Sequence, residues 1–220
     1  MSLMTIFLAL GFGYLAGSIP WGYFVVRLIN GKNVTKIESG RTGGTNAMRA
    51  AGLPAGLITT SLDVLKSAVV VWVLQNQFPG QVWLHVFGAL LAVVGHNYSI
   101  FLIKRDPSGK ITLGGGAGGT PAVGGLIGFW WPIGLILIPF GAVIIFGVGY
   151  ASVATMTMPI LGSIILLFRF FQIGTPWEYA VFGLLAEGLI VWALRPNIKR
   201  LIAGNERLVG IRAKKKREDR

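Results

Sequence analysis

Charged side chains are absent from three long stretches of the chain, residues 1–26, 67–103 and 111–168. About 18 consecutive apolar residues suffice for a membrane-spanning helix, and these stretches are 26, 37 and 58 residues long. Unpaired backbone groups are intolerable in lipid, and the chain shows no short alternating strands of the barrel type, so each span is expected to be helical. The first span lies within residues 1–26. It lacks a basic leading region and a convincing cleavage site, so it reads as a retained helix and not as a signal peptide. Two spans follow near residues 54–78 and 81–103, joined by an uncharged turn at 75–81. Residues 111–194 accommodate four crossings of about 20 residues each, with breaks at 131–132, 147–152 and 172–176. The pattern predicts an all-α integral membrane protein, a bundle of about seven transmembrane helices with the fourth and fifth short.

Composition sharpens that picture. Apolar residues make up 53% of the 220 residues and charged residues only 13%, about half of the roughly 25% carried by soluble domains. Mean hydropathy is +0.67. Soluble enzymes, nucleic-acid modules and coiled coils are excluded as readings of the whole chain. There is no cysteine, so thiolate nucleophiles and disulfides are excluded too.

The net charge of +12 is concentrated in three places. Residues 27–52 hold five basic side chains and one acidic, residues 104–110 three and one, and residues 195–220 ten and three. Lys and Arg collect in cytoplasmic loops, which predicts an N-terminus outside and a C-terminus inside, in the cell (inner) membrane. A basic tail also attracts anionic lipid headgroups; membrane lipids, and no nucleic acid, are the expected macroscopic partners. Two regions follow: a transmembrane domain over 1–194 and a cytoplasmic basic tail over 195–220, whose first part (195–206) joins the site.

Small and polar residues cluster at the expected inner face. Gly11, Gly13 and Gly17 are read as close-packing positions of the first helix, whereas the tract 114–119 is too poor in side chains for a helix and reads as a loop before the fourth span. Ser39, Gly40, Arg41, Gly43, Thr45, Asn46 and Arg49 combine hydroxyls, open backbone N–H groups and cations, the needs of a bound phosphate. A flexible basic loop is the plain alternative, and the Lys-Ser/Thr ending of a P-loop is missing. Asp63 and Lys66, spaced i, i+3, form either a functional pair within a span or a self-neutralising structural one. His96, followed by Asn97, Tyr98 and Ser99 and then by Lys110 and the glycine tract with Gly115, Gly116, Gly118 and Thr120, is either an interfacial residue at a helix end or a candidate catalytic group beside the anion loop. His85 is assigned a structural place. Asn197, Arg200 and Leu201 are spaced for a short interfacial helix ended by Gly204, with Glu206 beyond. No His, Cys or carboxylate cluster has metal-ligand spacing, and no metal or cofactor is expected. Glu187 has no account.

The order of these features resembles the bacterial acyl-phosphate-dependent glycerol-3-phosphate acyltransferase family. The matching pieces are Gly17-Ser18-Ile19-Pro20 with Tyr23; Ser39-Gly40 through Gly43, with Thr45-Asn46, Arg49 and Gly52; Asp63 with Lys66; Gly95-His96; the glycine tract; Tyr150-Ala151-Ser152; and the run from Asn197 to Glu206. The resemblance implies seven helices and acyl transfer from acyl phosphate to the 1-hydroxyl of glycerol 3-phosphate. It makes His96, Asn197 and Lys66 the catalytic candidates. The phosphate-binding candidates are Ser18, Ser39, Gly40, Arg41, Gly43, Thr45, Asn46, Arg49, Lys110, Gly115, Gly116, Gly118, Ser152, Arg200, Gly204 and Glu206, on a chain acting as a monomer. Against the family pattern, the chain has Asn33-Val34-Thr35 for an Asp-x-Arg, Glu38 for a Gly and Arg41 for an Asn. It also has Ala117 for a Lys, Gly149 for an Arg and Leu194 for a His. Either the site is rebuilt around Arg41 and Lys110, or the chain is a divergent paralogue that binds or transports a phosphorylated lipid or metabolite without catalysis.

Overall fold

A computed structural model describes residues 1–105 and 108–213. Asp106 of the second basic loop and residues 214–220 of the tail, with five of its basic side chains, lie outside the described residues. The helices are α1 (Leu3–Ser18), α2 (Trp21–Asn30), α3 (Gly44–Ala51), α4 (Leu53–Gln77), α5 (Val82–Asn97), α6 (Gly119–Phe129), α7 (Gly134–Val143), α8 (Ala151–Ile173) and α9 (Glu178–Ile202). One antiparallel hairpin, β1 (Ser99–Arg105) with β2 (Ile111–Gly114), interrupts them.

Five helical segments are long and apolar enough to cross a bilayer: Leu3–Asn30, Leu53–Gln77, Trp131–Val148, Ala151–Ile173 and Glu178–Ile202. Val82–Asn97 and Gly119–Phe129 are apolar but shorter. The expected turn at 75–81 and the breaks near 131, 149 and 174 separate these segments; Gly149 and Gly174 end theirs with φ of +86° and +67°, the left-handed region glycine enters without steric cost.

Three expectations are corrected. The first span is not one continuous helix: Pro20 has no N–H to donate, and the helix ends at Ser18 and restarts at Trp21. The third span stops at Asn97, and residues 99–105 form a strand. Hydropathy alone could not separate these, because Ile100, Phe101 and Ile103 are as apolar as helix residues while favouring the pleated conformation. Finally, no separate interfacial helix begins at Asn197. Instead α9 runs through Pro196 to Ile202, so the boundary between 194 and 195 falls inside one helix.

The core is built from Val71, Val86, Ala89, Leu126, Leu137, Leu166, Phe182 and Ile190, contributed by α4 to α9, with Ile133 from the turn before α7. Glycines set the closest approaches. A Cβ at Gly13 would lie 2.5 Å from the Gly88 carbonyl oxygen, and one at Gly17 would lie 2.1 Å from that of Ala92. Gly11 has nothing within 4 Å and is not a packing position. Substituting valine at Gly17 is therefore expected to force α1 off α5, at about 1–3 kcal/mol for overpacking. The melting temperature of the detergent-solubilised protein should fall, while Gly11→Ala leaves it unchanged; equal melting of both variants would contradict the packing.

His85 is structural, as expected. Its Nε2 lies 2.9 Å from the Phe78 carbonyl and its Nδ1 3.2 Å from the Tyr179 hydroxyl, which also accepts from Gln75 Nε2 at 3.2 Å. Phe129 stacks on the Tyr179 ring at 4.2 Å. This clasp ties the α4–α5 turn to α9 about 16 Å along α5 from His96.

Candidate active site

The site grows from four segments that the chain keeps far apart. The first is the loop leading into α3. Gly40, at φ +67°, turns it, and the Asn46 side-chain amide donates to the carbonyls of Val34, Ile37 and Arg41 at 3.1, 3.0 and 2.8 Å. Asn46 thus organises the loop, with its donor nitrogen already engaged. Thr42 N donates to Gly115 O at 3.2 Å, joining this loop to the glycine tract. The Arg41 guanidinium donates to Gly116 O at 3.2 Å and to Ala193 O, which places a partly buried cation between the tract and α9. Burial lowers its pKa first and the neighbouring Arg200 charge second. An anion placed beside it would relieve both effects.

The second segment is the tract itself, which packs on the end of α5. Gly116 N donates to His96 O at 2.8 Å. A Cβ at Gly115 would meet His96 O at 2.2 Å, and one at Gly116 would meet His96 Nε2 at 1.9 Å, so only glycine lets the backbone lie against the imidazole.

Behind His96 stands the pair from α4. Lys66 Nζ is 2.7 Å from Asp63 Oδ1 and 3.0 Å from His96 Nδ1, and donates to Ile19 O at 3.0 Å. The last acceptor is available because the chain breaks at Pro20. Asp63 Oδ1 is also 3.5 Å from His96 Nδ1. The two readings left open by the i, i+3 spacing merge here: the pair is self-neutralising, and it touches the candidate catalytic histidine.

The fourth segment is the end of α9 and the turn after it. Gly204, at φ +70°, reverses the chain, and the buried Glu206 carboxylate returns to accept from Asn197 Nδ2 at 2.8 Å and from Arg200 Nε at 2.9 Å. Residues 207–209 then strap across the site. Arg207 Nε lies 3.5 Å from Glu38 Oε2, Arg49 donates to Leu208 O at 3.4 Å, and Val209 N donates to Gly149 O at 2.9 Å.

These segments enclose a polar cavity of about 170 Å³. Of the expected site residues, Ser39, Arg41, Gly43, Thr45, Asn46, Arg49, His96, Gly118, Ser152, Asn197 and Glu206 line it. Lys66 and Arg200 stand one bond behind, through His96 and Glu206. Gly40, Gly115 and Gly116 line an adjoining recess on the other side of Arg41. Three expected residues lie away from the cavity walls. Ser18 spends its hydroxyl on Tyr14 O at 2.8 Å and its carbonyl on Ser99, closing α1 onto the end of α5. Lys110 is exposed ahead of β2 and does not line the cavity. Gly204 serves the turn that returns Glu206.

Sequence reasoning missed Thr60, Thr155 and Arg207, which line the cavity together with Thr120 from the end of the expected glycine-tract cluster. In the sequence Arg207 is one more headgroup-attracting charge of the tail, and the threonines carry no signal until their helices are packed. The cavity is cationic, since Glu206 is matched by Arg200 and Arg207 by Glu38 while Arg41 and Arg49 remain. Burial lowers the Arg49 pKa, the same desolvation that acts on Arg41. Ser152 Oγ is buried with no hydrogen-bond partner, an open donor at the wall. Among the described residues no group of three or more metal-ligating side chains forms. Glu187, half-buried on α9 with Oε2 unpartnered, remains unexplained.

An apolar groove of about 250 Å³ adjoins the polar cavity and shares Gly44, Thr45, Thr60, Gly119, Thr120, Ile145 and Thr155 with it. Leu57, Val123, Leu137, Ile138, Phe146 and Met158 continue it between α4, α6, α7 and α8. A phosphate at one end and a hydrocarbon chain at the other match this pair of spaces.

Comparison with known proteins gives a consistent result. The family model for glycerol-3-phosphate acyltransferase matches residues 7–204. Glycerol-3-phosphate acyltransferase 2 of Moorella thermoacetica is 38% identical over 207 residues, covering 94% of this chain and 98% of the relative. A glycerol-3-phosphate acyltransferase of Thermus thermophilus is 37% identical, covering 91% and 93%. Among solved structures, the integral membrane glycerol 3-phosphate acyltransferase PlsY in its glycerol 3-phosphate form superposes with a TM-score of 0.78 at 27% identity, over 94% of this chain and 96% of that one. Its lysophosphatidic acid form gives 0.77 at 28% identity with the same coverage.

Proposed function

The chain belongs to the glycerol-3-phosphate acyltransferase family, and from that premise we propose that it transfers a fatty acyl group from acyl phosphate to the 1-hydroxyl of glycerol 3-phosphate. The hydroxyl oxygen bonds to the acyl carbonyl carbon, the bond from that carbon to the phosphate oxygen breaks, and the hydroxyl proton ends on the departing phosphate. The products are lysophosphatidic acid and inorganic phosphate. The observation that carries this reading is the arginine-lined cavity opening into the apolar groove. An acyl phosphate is a mixed anhydride with a good leaving group, so no covalent enzyme intermediate is needed. What the reaction needs is two phosphates held together and a hydroxyl placed against a carbonyl.

In this reading Arg41 and Arg49 offset the repulsion between the phosphates, with Arg200 adding to the cationic field from behind Glu206 and with Ser39, Thr45 and Ser152 and the backbone around Gly43 and Gly118 supplying further donors. His96 and Asn197 face the reacting groups, Lys66 positions His96, and Glu206 positions Asn197 and Arg200. The acyl chain lies in the groove with its head toward the four threonines. All seven apolar segments cross the membrane, the two shorter ones among them, with the N-terminus outside and the site on the cytoplasmic side of the cell membrane. The basic loops support that orientation. One chain supplies the whole cavity, consistent with action as a monomer.

The test is phosphate release from palmitoyl phosphate and glycerol 3-phosphate by the purified protein in detergent or lipid. Turnover is expected in the wild type. Arg49→Ala should lower kcat/KM by about 10- to 100-fold, the worth of a charged hydrogen bond. Thermal stabilisation by glycerol 3-phosphate without any turnover would replace the transferase with a binding protein.

A further inference from the structure

Three acceptors surround the Lys66 ammonium: Asp63 Oδ1 at 2.7 Å, His96 Nδ1 at 3.0 Å and Ile19 O at 3.0 Å. An ammonium has three donors and no acceptor, so all three are committed and none can receive a proton from the ring. Lys66 keeps its charge because the alternative is a buried Asp63 carboxylate with no counter-ion, the costlier state. His96 Nδ1, nearer to this ammonium at 3.0 Å than to Asp63 Oδ1 at 3.5 Å, then presents its lone pair. In a neutral imidazole the proton sits on the other nitrogen, which here lies against Gly116, where the ring lines the cavity. Among the described residues, that Nε2 has no hydrogen-bond partner.

We infer that Lys66 locks His96 in its Nε2–H form, so that His96 donates a hydrogen bond to an anionic oxygen of the bound substrates and does not act as their general base. The oxygen belongs either to a phosphate or to the carbonyl on which charge develops during acyl transfer; both are acceptors that a fixed N–H stabilises. The proton of the attacking hydroxyl does not pass to His96. Lys66 is a positioning residue and His96 the group that touches substrate. The inference about the donor's role rests on the proposed acyl transfer; the placement of the ring proton does not.

Two measurements therefore separate the two. Nitrogen-15 NMR of the histidine side chains in the wild-type protein should place the His96 proton on Nε2 without any turnover being needed. The double variant Asp63→Asn/Lys66→Met removes both charges together and should release the ring into a mixture of tautomers, a change that a merely structural role for the pair would not produce. In the phosphate-release assay His96→Gln, which sets an amide N–H near the position of Nε2, should keep activity within about 10-fold of wild type. His96→Ala should lose about 10²–10³-fold, the usual effect of deleting one such donor. A proton found on Nδ1 overturns the assignment outright. An Nε2 proton with His96→Gln as inactive as His96→Ala overturns the donor role alone, and a wild type with no turnover overturns the acyl-transfer reading while the tautomer stands or falls on its own spectrum.

Discussion

Asp63→Ala is expected to be the most damaging single substitution in the molecule. It leaves the Lys66 ammonium, whose side chain is 4% exposed, with the Ile19 carbonyl and a histidine lone pair as its only partners. Breaking a buried ion pair from one side costs about 3–5 kcal/mol, a large part of the roughly 5–15 kcal/mol that holds a typical protein folded. The expected result is a steep drop in melting temperature in detergent and poor recovery from the membrane. Asp63→Asn/Lys66→Met removes both charges together and should be milder than Asp63→Ala, because no lone charge is left buried. If the double variant melts lower than the single one, the pair contributes through packing and not through charge.

The second large effect is expected at Glu206, and it should appear in catalysis more than in stability. Its carboxylate is the shared acceptor for Asn197 and Arg200, and it reaches them only because Gly204 reverses the chain. Without it, Asn197 keeps its place on α9 but loses the contact that aims it into the cavity, and Arg200 behind the wall loses its carboxylate partner. Misplacing reactive groups by about 1 Å can cost 10²-fold, so Glu206→Ala should reduce kcat/KM for glycerol 3-phosphate by about that factor. Glu206→Gln keeps one acceptor and should retain more activity than Glu206→Ala. Steady-state phosphate release with both variants checks this. Loss of less than about 3-fold in Glu206→Ala, well short of that misplacement cost, would mean that Asn197 and Arg200 are set by α9 alone.

Several parts of this site are legible in the order of amino acids alone. The Asp63 and Lys66 spacing marks a pair on one helix face, because i and i+3 are neighbours on any α-helix. The positions of the glycine tract and of the run from Asn197 to Glu206 announce a loop and a helix end by local backbone rules. Ser18 misleads because those rules stop at its own helix. It sits beside residues of the matching pattern, yet whether its hydroxyl faces a ligand or the Tyr14 carbonyl depends on how α1 meets α5. The pairing of 99–105 with 111–114 escapes because apolar strand residues and apolar helix residues carry the same hydropathy. Arg207 escapes because a cation in a basic tail looks like any other until the strap folds back onto Glu38.

What the amino-acid sequence determined by itself was the solvent of each segment. Long uncharged runs commit the chain to helices whose backbone groups are satisfied internally, and the clustering of Lys and Arg assigns the polar chemistry to one end. Which of those polar groups meet was decided only by tertiary packing. Gly13, Gly17, Gly115 and Gly116 let backbones approach to distances that no side chain permits, and that closeness brings Lys66 to His96 and Arg41 to Ala193. Contacts between residues as far as 169 positions apart leave no mark in local sequence, since each side of the contact is compatible with many partners until the helices fix one.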